Sequence, residues 1–140
     1  MNLMNIRTGF LAVLLAVIPL IGLTAEEEEE AAKHAALEWL ALVDARQYEA
    51  SWEEAASLFK AQVSAPDWAK AVAAARKPLG DLGDRQLISA SYAISLPGAP
   101  DGAYVVIQFQ TNFENKAQAV ETVTPMLDEG KWRVSGYYIR

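Results

Sequence analysis

The sequence lacks several residue types on which enzymes and metal sites depend. It contains no cysteine and a single histidine, His34, among 140 residues. The absence of cysteine excludes disulfides, thiol nucleophiles and a lipidated cysteine. One histidine near the start cannot supply a His-rich metal site, and a Ser-His-Asp triad would require it to fold back into a site. We therefore expect no metal, no cofactor and no nucleophilic catalytic set.

An excess of positive charge is also missing. Arg7 is the one charged residue before Glu26, so residues 26–140 carry 11 Lys and Arg against 18 Asp and Glu, a net charge of −7. Gly98 and Gly102 lie in a Pro-rich connection rather than between a strand and a helix, so they form no phosphate-binding loop. An acidic chain repels phosphate backbones and anionic lipid. No nucleic acid partner is expected.

The apolar run at the start is too short for an ordinary membrane span. "GFLAVLLAVIPLIGL", from Gly9 to Leu23, is an uncharged segment that contains Pro19 and is followed by "TA". Crossing a bilayer takes about 20 apolar residues. The order of Arg7, apolar run and small residue Ala25 is typical of a secretory signal. We expect a cleaved signal over residues 1–25 and one domain over residues 26–140, in the periplasm or outside the cell. An uncleaved anchor is the alternative.

Five glutamates, residues 26–30, open the domain and precede a helical pattern. Carboxylates interact favourably with the positive end of a helix dipole. The alternative is a metal site, because Glu30 and His34 share a helix face. Two ligands at a helix end are too few for a zinc site, so the glutamates are interpreted as a solvated helix start.

Three helical patterns follow the signal. The first has an apolar stripe and ends near residues 44–46; the stripe is Ala32, Ala36, Trp39, Leu40 and Val43. The second opens at "SWEE", where Ser51 and Glu54 have capping-box spacing. The third opens at Ser64, with Pro66 in its first turn, and stops before Gly80.

From Arg85 onward the apolar period changes to two, which indicates strands. In the first strand Ile88, Ala90, Tyr92, Ile94 and Leu96 share a face, and in the last strand Trp132, Val134 and Tyr138 do. Pro125 in the third strand predicts a bulge, an early strand end or an unpaired edge N–H. Helices followed by strands predict an α+β fold, with three N-terminal helices packed on a curved, cone-like, four-stranded antiparallel meander.

Several segments together resemble a known family. They are "EWL-LVD---Y--SW", "R-PLG", "SLPGAPDG-YVVIQF", "ENK---VETVTPML" and "WRVSGYYI". The chain resembles the bacterial secreted family catalogued as domain of unknown function 4019, and the element order resembles the cone-shaped nuclear transport factor 2-like superfamily. The resemblance covers nearly all of residues 26–140 and implies a fold. It carries over no catalytic or binding residue.

Candidate site residues come from the cone interior that such a fold implies. Asp44, Tyr48 and Trp52 could line a pocket, and Tyr92, Tyr104 or Tyr138 could add a hydroxyl donor. The alternative is that Asp44 caps a helix junction while Tyr48 and Trp52 are core. Core packing is also the expected role of the four tryptophans, rather than stacking on carbohydrate; they are Trp39, Trp52, Trp68 and Trp132.

A polar stripe on the second strand is the other candidate. Gln108, Gln110 and Asn112 alternate with apolar residues and would face away from the core. A solvated sheet face and a surface for a polar ligand or protein partner are both open.

Three functions are compatible with these features. The first is a non-enzymatic module of the cell envelope that binds a small molecule or a protein. The second is a small cofactor-free enzyme of isomerase, dehydratase or hydrolase type that uses Asp44 and a tyrosine, an interpretation that rests on fold analogy. The third is a stress-related envelope protein without a small ligand. A carboxylate buried beside a tyrosine around an open cavity would favour the enzyme.

Overall fold

The computed structural model describes residues 22–140. Four helices come first, at α1 (Ala25–Asp44), α2 (Tyr48–Glu54), α3 (Ser57–Gln62) and α4 (Ala65–Arg76), and a 3₁₀ turn follows at Lys77–Leu79. Four strands complete the chain, at β1 (Leu82–Ala93), β2 (Tyr104–Phe113), β3 (Lys116–Asp128) and β4 (Lys131–Ile139). They form one antiparallel sheet in the order β1-β2-β3-β4. The predicted α+β class and meander are confirmed.

Most of the predicted signal, residues 1–21, lies outside the described residues. Helix α1 begins at Ala25, and the Thr24 side chain accepts a hydrogen bond from the Glu27 amide while Glu27 bonds back to Thr24. This capping box, together with acids in the first turn, explains why the helix starts there. Among residues 22–140 no helix has the length and apolarity to cross a membrane.

The glutamate run does more than begin α1. Glu29 Oε1 accepts from the Tyr92 amide of β1 at 3.1 Å, and Glu28 Oε2 accepts from Trp132 Nε1 of β4 at 3.1 Å. These strands are the two edges of the sheet. Adjacent residues of one helix therefore bond both edges, so the sheet wraps around the start of α1.

The second predicted helix is wrong in its start and in its continuity. Ser51 does not cap a helix; it is buried within α2, where its hydroxyl donates to the Tyr48 carbonyl at 2.6 Å. The helix then breaks at Ala55 and Ala56, and α3 begins at Ser57. The Ala56 amide donates to the Val134 carbonyl of β4 at 2.8 Å. This bond to the sheet replaces the helical hydrogen bond, a tertiary effect that periodicity does not show.

The third predicted helix is confirmed as α4. Its cap is Ser64, whose hydroxyl accepts from the Asp67 amide at 3.3 Å, and a proline occupies the first turn. Gly80 ends the following 3₁₀ turn with a φ of 75°, a conformation that glycine adopts without strain.

The predicted inward faces of β1 and β4 are partly wrong, because each strand contains a shift in its pairing register. The shift between Leu87 and Ser89 leaves Ile88 half exposed, and Ile94 lies beyond the strand end. The second shift, at Thr124 and Pro125, confirms a bulge at the proline. Each shift reverses the alternation of faces beyond it. In β4 the consequence is that Tyr137, not Tyr138, packs against the core.

The core lies between the inner sheet face and helices α1, α2, α3 and α4. Trp39 and Trp68 are buried and pack with Phe59 and Tyr137 in edge-on or tilted contacts at 4.9–6.4 Å between ring centroids. Trp52 and Trp132 are half-buried at the margin of this cluster. The expectation of core packing is confirmed for the first two tryptophans and holds partly for the other two.

Candidate functional site

A cluster of charged and hydroxyl side chains is buried where α1 and α4 end against the inner sheet face. We call it the charge cluster, and its members are Asp44 of α1, Arg76 of α4, Arg85 of β1, Thr111 of β2, Glu121 of β3 and Tyr137 of β4. Two acids and two arginines balance in charge. Charges taken out of water persist only when they are paired and hydrogen-bonded.

Arg85 is the centre of the charge cluster. Its Nη1 donates to Asp44 Oδ2 at 2.9 Å, its Nη2 donates to Asp44 Oδ1 at 3.0 Å, and its Nε donates to Glu121 Oε1 at 2.7 Å. The first two bonds form the bidentate geometry that a planar guanidinium offers to a carboxylate. Arg76 adds a bond from Nη2 to Asp44 Oδ1 at 2.7 Å. Asp44 is therefore held by both arginines.

Glu121 has no solvent exposure and has a partner for each oxygen. Its Oε1 accepts from Arg85 and from the Thr111 hydroxyl, the latter at 2.6 Å, and its Oε2 accepts from the Tyr137 hydroxyl. Thr111 is fully buried, and the bond from its hydroxyl to Glu121 explains why a polar residue lies between apolar neighbours on the inner face of β2.

The pKa shifts follow from these contacts. For Asp44, burial raises the pKa, but the hydrogen bonds and charges of Arg85 and Arg76 outweigh burial and hold the pKa below its usual value. For Tyr137, burial raises the pKa first, and the charge and hydrogen bond of Glu121 raise it further. For Arg85, burial lowers the pKa, but the bonds and charges of Asp44 and Glu121 raise it overall. Asp44 is therefore stabilised as an anion and the Tyr137 phenol as a neutral group.

These contacts bear on acid–base chemistry. A general base needs a lone pair that faces the substrate and a pKa near the working pH. Both oxygens of Asp44 and both oxygens of Glu121 already accept protein hydrogen bonds. These bonds therefore hold α1 and α4 against the sheet and leave the carboxylates poorly placed for proton transfer.

Arg76 is the incompletely bonded member of the charge cluster. Its side chain is 6% exposed, and its guanidinium lies over the Phe113 ring at 4.7 Å. Nε and Nη1 are buried and have no hydrogen-bond partner among the described residues. Arg76 also lines a cleft of about 310 Å³, which we call the Arg76 cleft. Its other lining residues are Val43, Asp44, Arg46, Tyr48, Ala73, Lys77, Gly80, Asp81 and Leu82.

The structure brings together two of the three predicted catalytic candidates. Asp44 and Tyr48 line the Arg76 cleft. Tyr92 is bonded through its amide to Glu29, at the opposite end of α1 from Asp44. Glu29 and Asp44 are fifteen positions apart in α1, which is about 22 Å along the helix axis. Tyr92 therefore lies far from the other two.

The predicted binding candidates are dispersed. Trp52 donates from Nε1 to the Val63 carbonyl at 2.8 Å, and Tyr104 is buried with its hydroxyl bonded to the Pro100 carbonyl at 2.6 Å. Neither lines the Arg76 cleft. Gln108, Gln110 and Asn112 alternate with buried residues along β2, as predicted. Asn112 is engaged by Asp84 and by the Gln118 amide.

Sequence reasoning missed five members of the charge cluster. Glu121 and Thr111 left a signal, since each occupies an inward position between apolar residues on its strand. Tyr137 left none, because the bulge at Pro125 places it on the inner face. In the sequence Arg76 is a cation near a helix end, which the helix dipole alone accounts for, and Arg85 begins a strand pattern. Among residues 22–140 no group of acids and histidines is placed to hold a metal ion.

A second candidate surface is the open edge of the sheet at β1, which we call the β1 edge. Nine of its twelve residues are exposed, against one of ten in β2. Large apolar side chains are exposed here, namely Leu82, Leu87, Ile88 and Tyr92, with Ile94 just beyond. The opposite edge strand, β4, carries Lys131 and Arg133, charges of the kind that discourage strand pairing. β1 has no lysine or proline, and its irregularities are the two register shifts.

Comparison with known protein families gives the same family that the sequence segments resemble. No curated protein matches the chain. A family model described as "Protein of unknown function (DUF4019)" matches residues 35–137, from the middle of α1 to the charge-cluster tyrosine of β4. The matched region contains the whole charge cluster, the Arg76 cleft and the β1 edge. The chain belongs to this family, catalogued as domain of unknown function 4019.

Proposed function

We propose that the protein is an exported, non-enzymatic interaction module that binds an extended segment of another envelope protein along the β1 edge. The observation that carries this proposal is a twelve-residue edge strand with exposed apolar side chains and no lysine or proline. An added strand satisfies edge N–H and C=O groups while pockets between alternate side chains give specificity. Export rests on the signal-like segment over residues 1–25.

Charge favours a basic partner over a second copy. Asp84 lies near the start of β1, and Glu29 is bonded to the Tyr92 amide near its end. An antiparallel pairing of two copies centred on Ile88 would place Asp84 opposite Tyr92, so like charges would meet at both ends. An apolar segment flanked by lysine or arginine would instead meet those acids favourably. The net charge of −7 over residues 26–140 acts in the same direction.

The enzyme alternative, with Asp44 and a tyrosine as catalytic groups, has less support. Tyr48 shares a cleft with Asp44, which favours it. However, Asp44 is held by two arginines, and its lowered pKa makes it a weak base. Glu121 is the carboxylate beside a tyrosine, but it has no solvent exposure and does not line the Arg76 cleft. The binding module is therefore the better supported function.

Site-specific photocrosslinking in the native cells tests this proposal. A photoreactive phenylalanine analogue would replace Ile88 in one variant and Gln110, an exposed residue of β2, in the control. We expect a discrete heterologous product from position 88 that position 110 does not give. Its crosslinked peptide should be an apolar segment with flanking Lys or Arg, and a synthetic copy should bind the purified protein.

A charge substitution separates specific binding from general stickiness. Ile88→Lys should weaken binding of that peptide at least tenfold, whereas Leu127→Lys, at an exposed apolar position on β3, should leave it unchanged. Identical products at positions 88 and 110, crosslinks to a second copy only, or equal effects of the two lysines would each overturn the proposal.

A further inference from the structure

A second site, which shares only Leu82 with the β1 edge, is suggested by the unpartnered atoms of Arg76. We propose that the Arg76 cleft binds a small molecule with one carboxylate and an apolar body. The cleft lies between the end of α1, the start of α2, the end of α4 and the chain at residues 80–82. Its volume of about 310 Å³ is at the lower end of the range for small-molecule pockets.

The unpartnered donors indicate an acceptor. Arg76 uses Nη2 on Asp44, while Nε and Nη1 are buried without a partner among the described residues. Buried donors are rarely left unpaired in folded proteins, and each such group calls for an explanation. Arg76 lines the cleft, so an oxygen acceptor that enters there lies beside the guanidinium and reaches the buried Nε or Nη1 after a shift of the neighbouring side chains. Arginine binds carboxylates with particular strength because its N–H groups are charged and directional.

The charges of the cleft favour a monoanion. Its lining has three cations, Arg46, Arg76 and Lys77, against two acids, Asp44 and Asp81, a net charge of +1. Arg46 and Asp81 form an exposed ion pair at 3.3 Å. Glu114, next to Gly80, is a further acid beside the cleft. With Glu114 counted, three cations face three acids, so a single carboxylate bonded to Arg76 is repelled less than a phosphate dianion would be.

The rest of the lining is apolar or aromatic. Val43, Ala73 and Leu82 contribute aliphatic surface, and Tyr48 contributes a half-buried ring. Apolar walls with a few placed polar groups are the usual composition of small-molecule sites. The body of the ligand should therefore be apolar, with its carboxylate directed toward Arg76 and Lys77.

A nuclear magnetic resonance titration with three probes tests the inference. The probes are benzoate, its neutral isostere benzamide and inorganic phosphate, added to the ¹⁵N-labelled protein. We expect saturable shifts of the Arg76 Nε–H signal and of the amides at residues 43–48 and 76–82 with benzoate. Benzamide and phosphate should bind at least fivefold more weakly. Equal binding of benzoate and benzamide, or benzoate shifts confined to other surfaces, would overturn the inference.

Two variants connect the binding to the cations of the cleft. Lys77→Gln removes an exposed lining charge and should weaken benzoate binding at least threefold. Lys70→Gln, which replaces an exposed lysine of α4 outside the cleft, serves as the matched control. Arg76→Lys keeps the charge but removes the unpartnered Nε and Nη1, and should abolish saturable binding. If that variant fails to fold, the Lys77 and Lys70 comparison decides. Unchanged benzoate binding in Lys77→Gln would refute the inference. The crosslinking at position 88 tests the β1 edge separately, so either proposal can fail without the other.

Discussion

Arg85 and Asp44, which lie 41 residues apart in the chain, are joined by two hydrogen bonds of 2.9 and 3.0 Å deep against the sheet. The pair connects the last residue of α1 to the first strand, and Arg85 extends the connection to Glu121. Removing one partner of a buried ion pair leaves an uncompensated charge, which typically costs about 3–5 kcal/mol.

The first prediction compares this pair with an exposed one. Arg85→Leu should lower the free energy of unfolding by about 3–5 kcal/mol, because Asp44 loses one of its two arginines and Glu121 loses its only one. Arg46→Leu breaks the exposed pair with Asp81 and should change it by about 0–1 kcal/mol. Urea denaturation of both variants measures the difference. Equal losses of unfolding free energy would show that the buried ion pairs of Arg85 stabilise the fold no more than the exposed pair of Arg46 does.

The second prediction concerns acid. Because the pKa of Asp44 is lower in the folded protein than its ordinary value of 3.8, its carboxylate stabilises the fold above that value. This contribution should be lost as the pH falls from about 5 through 3.8 toward the lowered pKa. Asp44→Asn should be less stable than wild type at neutral pH and should show a shallower further loss in acid. Parallel stability curves for the two proteins would contradict the assignment.

The third prediction concerns base. Burial and the charge of Glu121 raise the pKa of Tyr137 above its ordinary value of 10.0, so the folded protein retains a proton that the unfolded chain releases. Stability from this source is full below pH 10 and decreases as the pH rises further. Tyr137→Phe should be less stable than wild type at pH 8 and should lose less stability between pH 9 and about 11. A variant that loses as much stability as wild type over this range would exclude Tyr137 as the source.

The fourth prediction concerns Ser51. Its hydroxyl accepts from Trp68 Nε1 at 2.9 Å, and its carbonyl accepts from Trp39 Nε1 at 2.8 Å. Ser51→Ala leaves the buried Trp68 indole N–H without its acceptor, which should cost about 1–3 kcal/mol. Ser91→Ala, at an exposed position of β1, is the matched control and should change stability by less than about 0.5 kcal/mol. Thermal unfolding of both variants at neutral pH makes the comparison.

The fifth prediction concerns processing. Cleavage after Ala25 removes Thr24, the residue that caps α1. Amino-terminal sequencing of the protein from its native cells should read Glu26 as the first residue. A protein that begins at Met1, or that stays with the membrane fraction, would contradict export by a cleaved signal. Loss of the cap should also fray the first turn, which faster amide exchange at residues 27–30 would show.

Much of the fold could be predicted because the relevant signals are local. The stripe from Ala32 to Val43, the cap at Ser64 and the alternation along β2 each reflect the period of one element and the side of it that is buried. Pro125 predicted a bulge, an early strand end or an unpaired edge N–H because proline cannot donate to a strand ladder, and the structure has the bulge. Family membership was also recoverable from short segments of the chain.

What the sequence by itself determined was therefore the α+β class, the order of the elements and the residue types available for chemistry. Only the tertiary structure decided which charges meet. Arg76 and Arg85 both bond to Asp44 because α4 ends, and β1 begins, beside the end of α1. Tyr137 bonds to Glu121 because a bulge reverses the faces of β4. Pairing over 16 to 41 residues depends on packing of the whole domain rather than on the period of any one segment, so it left no local pattern to find.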